Sequence, residues 1–203
     1  MEFLIAHIAE QLPQSPLEYV FQIMLGLILA VLLGSFVEHV IHKYFMHRKP
    51  PLIGKRNFFA TLFHSHAVLH HGTFYKRFDH EDDPMGREES IIFDTQEIIA
   101  VQLTLLPVFL FIAYFSPIIA LCFPAVAFTH NHLWNIIHRE MHQPKKPYWA
   151  KSSAYRFLAR HHFLHHRHTA TNYNVVFPLA DYILCTTASA TTDDIAIMKQ
   201  LEY

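Results

Sequence analysis

Three long apolar runs set the outline of the chain. Tyr19 to Val37 is apolar except for Gln22 and Ser35. At about 1.5 Å per residue its helix rises about 28 Å, enough to cross the hydrocarbon core of a bilayer. Nothing stops that helix at Val37: Glu38 to His47 can continue it until Pro50-Pro51 breaks the chain. Ile98 to Phe115 and Ile118 to Trp134 are two further runs, separated only by Ser116-Pro117, and they predict a tight spanning hairpin. Pro107 and Pro124 lie inside these runs, where membrane helices tolerate proline better than soluble ones. The last run also continues past its apolar part, from Asn135 to His142, before Pro144 and Pro147.

The rest of the chain is more polar. Met1 to Leu12 has apolar residues at helical spacing and no basic residue, which suits a surface helix rather than a secretory signal. Asn57 to Leu69 is aromatic-rich but too short to span, so it predicts an interfacial helix or a re-entrant fourth segment. Phe78 to Ser90, with its charges, Pro84 and Gly86, predicts an exposed loop. Beyond Tyr148 nothing is apolar enough to span, and the tail predicts an aqueous cap with one short apolar dip at Val175 to Leu184. The expected fold is therefore an all-α integral membrane protein in a single domain over residues 1–203. Its parts are a first spanning helix with its extension (19–47), an interfacial segment (52–97), a spanning hairpin with its extension (98–142) and a helical cap (148–203).

Composition agrees with this outline. Only 16% of residues are charged, against about 25% in ordinary soluble domains. A net charge of −1 gives no reason to expect a nucleic-acid partner. Cys122 and Cys185 are too few and too far apart for a disulfide framework or a zinc ribbon. All 16 Lys and Arg lie between Lys43 and Arg87 or from Arg139 onwards, so the positive-inside rule predicts an outside N-terminus and a cytoplasmic tail.

Histidine is the chemical anomaly, at 18 of 203 residues. Five fall within Arg160 to His168, and helical spacing puts His162, His165 and His166 on one face. Under the predicted topology His42, His47, His66, His70, His71, His138 and His142 reach the same side of the membrane. The first half reads His-x4-His then His-x3-His-His, and the second His-x3-His then His-x2-His-His. Ten imidazoles are too many for one metal and suit two. The i, i+4 pairs His66/His70 and His138/His142 should each grip one metal, whereas His42 and His47, about 140° apart on an α-helix, should reach towards different ones. His138 to His142 is not a metalloprotease motif, because its glutamate is misplaced. Glu38, one turn before His42, is placed to orient that ring. His39, His64, His161 and His168 are adjacent extras, His130 and His132 lie deeper in the third run, and His7 and His80 read as surface residues.

The four histidine boxes resemble those of the fatty acid hydroxylase/sterol desaturase superfamily of membrane di-iron proteins, over roughly Glu38 to Thr187. His42-Lys43-Tyr44-Phe45-Met46-His47 is also similar to the first box of bacterial carotenoid hydroxylases. His162-x-x-His165-His166, Asn172-Tyr173, Pro178-Leu179 and Asp181 resemble the fatty acid hydroxylase and sterol desaturase branch. The chain departs from that pattern at Asn174 (a glycine in the family), at Leu184-Cys185 (Phe-Gly), and in the second box, which has an extra residue between its histidines. The resemblance implies two iron ions held by the ten boxed histidines, with Asn172 and Asp181 beside them; Glu38, His161 and His168 are candidates for the surrounding shell by their position next to the boxes. It further implies O₂-dependent hydroxylation or desaturation of a membrane lipid. No flavin or cytochrome b5-like motif is present, so electrons would come from a separate ferredoxin- or cytochrome b5-like partner and its reductase. A haem-binding electron carrier and a zinc or metal-transport protein are the alternatives of other classes.

Overall fold

A computed structural model describes residues 7–49, 58–74, 78 and 92–203. Among these every regular element is a helix. Helix α1 is Pro16–Val40 and runs without a break into a π-helical turn, Ile41–Met46. A second continuous segment comprises α2 (Phe58–Phe63), a π-helix (His64–His70) and α3 (His71–Phe74). Two long helices follow, α4 (Thr95–Phe115) and α5 (Pro117–His142). The tail holds a 3₁₀ turn (Tyr148–Lys151), α6 (Ser153–Arg167), the short α7 (Leu179–Ile183) and α8 (Thr192–Gln200).

Helix boundaries follow local chemistry. Asp94 caps α4 in a reciprocal box with Glu97, and Thr191 does the same for α8 with Asp194. Ser116 ends α4, and its hydroxyl accepts the Ile119 amide at the start of α5. Pro107 and Pro124 both sit inside continuous helix, as anticipated.

Two helices are long and apolar enough to cross a membrane: Pro16–Met46 and Thr95–Phe115. Of their apolar windows only 17% and 0% is buried within the protein, the reverse of a core helix in a water-soluble fold. The third expected span, α5, is helical, but its apolar part gives way to Thr129-His130-Asn131-His132 and it does not meet the same measure. The expected surface helix at Met1 to Leu12 is described only from His7, and 7–10 are helical. His80, Glu81 to Asp83, Pro84 and Gly86 lie outside the described residues. Phe78, expected at the head of an exposed loop, lies in a bend but is buried.

The chain divides into two compact units, Met1–Gly34 with Asp94–Asn131, and Ser35–Phe93 with His132–Tyr203. In the first, Ser116 Oγ donates to Gln22 Oε1 at 2.8 Å, and Gly26 lets α1 and α5 approach closely. His7, partly exposed, bonds the Tyr114 carbonyl at 3.0 Å and stacks on the Tyr114 ring. In the second unit Phe78, Trp134, Met141, Tyr155, Ala159, Phe163, Val175 and Met198 form one apolar core beneath the tail helices.

A side chain at residue 26 would meet Cys122 Sγ at 2.8 Å and the Ile119 Cα at 3.1 Å. Gly26→Ala should therefore destabilise the protein by about 1–3 kcal/mol despite alanine's better helix propensity. Thermal melting in detergent checks this, with only part of the loss recovered by adding Cys122→Ala, because the Ile119 backbone contact stays.

Candidate metal centre

The ten boxed histidines come together within the second unit as two sets of five. His42, His47, His66, His71 and His165 form one cluster; His70, His138, His142, His162 and His166 form the other. Within each set one nitrogen from every ring lies within 4.8 Å of all the others. Among the described residues neither set contains a cysteine or a carboxylate. Nine of the ten residues are buried, and His47 is half-buried.

The allocation differs from simple helical expectation, and helix type explains why. His42 and His47 were expected to diverge, yet they join the same cluster. The turn between them is π-helical, with His47 N–H donating to the His42 carbonyl five residues back. An i→i+5 turn brings residues five apart onto one face. The same device acts in the second box. There His66 and His71 share the first cluster, while His70, expected to pair with His66, goes to the second. Helices α5 and α6 have no such turn. His138/His142 and His162/His166, both i, i+4, accordingly fall together in the second cluster. His165 lies between them in sequence and faces the first, so the expected common face of His162, His165 and His166 is in fact divided. Each His-His pair, His70-His71 and His165-His166, is thus split between clusters, which abut where His71 stacks on His166 at 4.3 Å.

Backbone carbonyls fix three of the rings. The Nδ1 of His42 bonds the Tyr173 carbonyl, that of His165 the Thr171 carbonyl at 2.7 Å, and that of His142 the Phe78 carbonyl at 2.7 Å. A carbonyl only accepts, so each Nδ1 carries the proton and each Nε2 presents a bare lone pair. Those lone pairs face other imidazoles. In the first cluster His42 and His66 Nε2 are 2.8 Å apart, His47 and His165 3.0 Å, and His71 lies 3.1 Å from both His66 and His165. In the second, His162 Nε2 lies 3.1 Å from His142 and 3.2 Å from His166, which is 3.2 Å from His70. Nitrogens about 2.1 Å from a common ion and 90° apart would be separated by about 3.0 Å. The spacings match the edges of a metal coordination polyhedron.

The electrostatics favour the same role. Burial, followed by neighbouring imidazoles, pushes His66, His70, His71, His162, His165 and His166 well below the usual histidine range. Burial brings His47 down to about 4. At neutral pH the rings are uncharged, the form in which imidazole binds a cation. Each cluster can therefore hold a metal ion.

A dense polar network surrounds the clusters. Asp181, fully buried, accepts from His39 Nδ1 at 3.0 Å, His161 Nε2 at 2.9 Å, the Thr186 hydroxyl at 2.7 Å and the amides of Tyr173 and Asn174. Burial would raise its pKa, but hydrogen bonds from His161, the Asn174 amide and Thr186 outweigh that and hold it at about 2. Asn172 donates to His161 Nδ1 at 3.1 Å and sits in left-handed geometry at φ 54°. Glu38 was expected to orient His42 directly. It instead accepts from the Val175 amide at 2.7 Å and from Asn174 Nδ2, and so steadies the loop whose Tyr173 carbonyl meets His42. His168 lies apart from both clusters, bonded to Asp194 at 3.2 Å. His64 and His132 are exposed.

Several contributors carry little or no signal in the sequence. Ser35 Oγ donates to the Phe177 carbonyl and accepts from the Ala180 amide, and its own carbonyl accepts from Asn174 Nδ2. Its signal was a lone hydroxyl in an apolar run. The Phe78, Thr171 and Tyr173 contributions come from main chain, which carries no residue signature. Comparison with known protein families, curated proteins and solved structures finds no match.

Metal analysis of the purified protein should give two ions per chain, falling towards one in His138→Ala or His165→Ala, with affinity at the altered cluster reduced on the order of 100-fold. Asp181→Asn should cost about 3 kcal/mol at neutral pH by leaving two buried histidines poorly paired. Because the Asp181 pKa is about 2 when folded and about 3.9 when unfolded, its contribution is complete above about pH 4. It is lost as pH falls through 2, so the stability gap between wild type and variant should close over that window.

Proposed function

We propose that this chain is an integral membrane oxygenase that holds two iron ions, one per histidine cluster, and hydroxylates an unactivated C–H bond of a membrane lipid. The observation that carries the reading is the pair of adjoining, buried, all-histidine clusters. Imidazole is a good ligand for iron. Soluble di-iron bundles use glutamates with Glu-x-x-His instead, whereas an all-nitrogen set adds no negative charge to the metals. The four boxes, with Asn172 and Asp181, add the resemblance to the fatty acid hydroxylase/sterol desaturase superfamily.

In this reading the chain crosses the bilayer three times, along α1, α4 and the first part of α5. The basic segments put the N-terminus outside and the histidines in the cytoplasm. The lipid enters laterally from the bilayer, and a separate redox partner supplies electrons. When bound, the iron pair would supply O₂ activation. The protein's part is to hold and dry the site. Ten rings from four segments fix the metal positions, the Phe78, Thr171 and Tyr173 carbonyls set three tautomers, and the Asp181 network locks the tail loop that carries two of those carbonyls. Desaturation and carotenoid hydroxylation use the same metal set with a different substrate pose. A haem carrier would need two opposed rings set apart, whereas each of these ten imidazoles lies within a five-nitrogen set.

Lipid mass spectrometry of cells expressing the chain under ¹⁸O₂ tests this. The expected result is one heavy oxygen atom in a single lipid class, absent in His138→Ala and His165→Ala cells. An unchanged lipid profile with a reductant available, or a strong Soret band in the purified protein, would refute it.

A further inference from the structure

Helix α7 is built with two opposed faces. Its inner residues, Ala180 and Asp181, are fully buried in the network just described. Its outer residues are Tyr182 and Ile183, exposed by 54% and 56%, joined by Leu184 just past its end at 47% and by Phe177 at 38%. Phe157 of α6 flanks the same surface through His161, whose ring lies 6.3 Å from both Phe157 and Tyr182. Arg160, exposed and one helical turn beyond Phe157, adds a guanidinium. Large apolar side chains concentrated on one short element, with the opposite face rigidly anchored, mark a surface meant to be covered.

The anchor says by what. Helix α7 is tied to α1 at Ser35, through the Ala180 amide at 2.9 Å, and at His39, through Asp181 at 3.0 Å. Ser35 lies two residues before Val37, where the apolar run of α1 ends, and His39 lies just beyond it. A helix pinned at that level of a spanning segment lies at the bilayer boundary. There tyrosine and arginine are the preferred companions of buried aliphatic side chains.

We infer that Phe177, Tyr182, Ile183 and Leu184 insert into the headgroup–acyl boundary of the bilayer, making the tail a membrane-seated cover rather than a freely solvated cap. This rests on the spanning role of α1. Insertion there would set the tail loop, and with it the carbonyls that hold His42 and His165, at the depth from which a lipid chain enters. It also gives the Val175 to Leu184 segment a defined partner, the lipid surface.

Cys185 allows a direct test, since it is exposed and adjoins Leu184, while Cys122 is buried. A nitroxide on Cys185 of the full chain, in nanodiscs containing anionic lipid, is read by its oxygen-to-nickel-chelate collision ratio. Cys185→Ser serves as the unlabelled control, and a label on Ile28→Cys in that background reports the α1 span. The expected ratio at Cys185 is at least fivefold above that of nitroxide on free cysteine and below that at residue 28. A lipid value at residue 28 with an aqueous value at Cys185 overturns the inference while leaving the span intact. Aqueous values at both overturn the membrane reading and the inference with it. Dipolar broadening between labels at Cys185 would mean that a second copy covers the surface, which also overturns it.

Discussion

Everything in the second unit depends on the demand that buried imidazole nitrogens find a positive partner. Lone pairs of His42, His165 and His142 are turned inward by carbonyls behind them, onto other rings about 3 Å away. Protons could relieve the crowding only at the cost of burying several like charges together, which is why the ring pKa values are driven down. Two cations would relieve it at once. The surrounding helices, the tail fold and the polar network bring the ten rings to two adjoining points, each of which could hold one cation.

Helix type is the means of allocation. An α-helix lines up residues four apart and a π-turn lines up residues five apart, so the two N-terminal boxes and the two C-terminal boxes use different periods to reach shared centres. Residue identities were legible from sequence: ten histidines in four boxes, and all ten are in the clusters. Their distribution was not. An assumed 3.6-residue period parts His42 from His47 and joins His66 to His70, the opposite of what the π-turns do. A π-turn leaves no residue signature comparable to a cap or a proline.

The supporting network was legible only in part. Asp181 and Asn172 could be named only through the resemblance of the tail to a known family pattern, since nothing in their own spacing sets them apart. Ser35 and Asn174 could not be distinguished from ordinary helix or loop residues. Phe78 acts through its carbonyl and its buried ring, and its charged neighbourhood disguised it as surface. Side-chain chemistry can be read along a sequence, whereas main-chain acceptors become visible only when the fold brings them to a ring. Among the apolar runs, α1 and α4 are long and apolar enough to cross a membrane, while the polar Thr129 to His132 stretch keeps α5 from meeting the same measure.

The central claim is that each of two metals sits in a shell made of imidazole nitrogen. Metal-edge X-ray absorption of the purified, metal-loaded protein tests it most directly. The account predicts a first shell of nitrogen at about 2.1 Å, with the outer-shell multiple scattering of several imidazoles per ion and no sulfur. A shell dominated by oxygen or sulfur, or scattering from fewer than three imidazoles per metal, would contradict it.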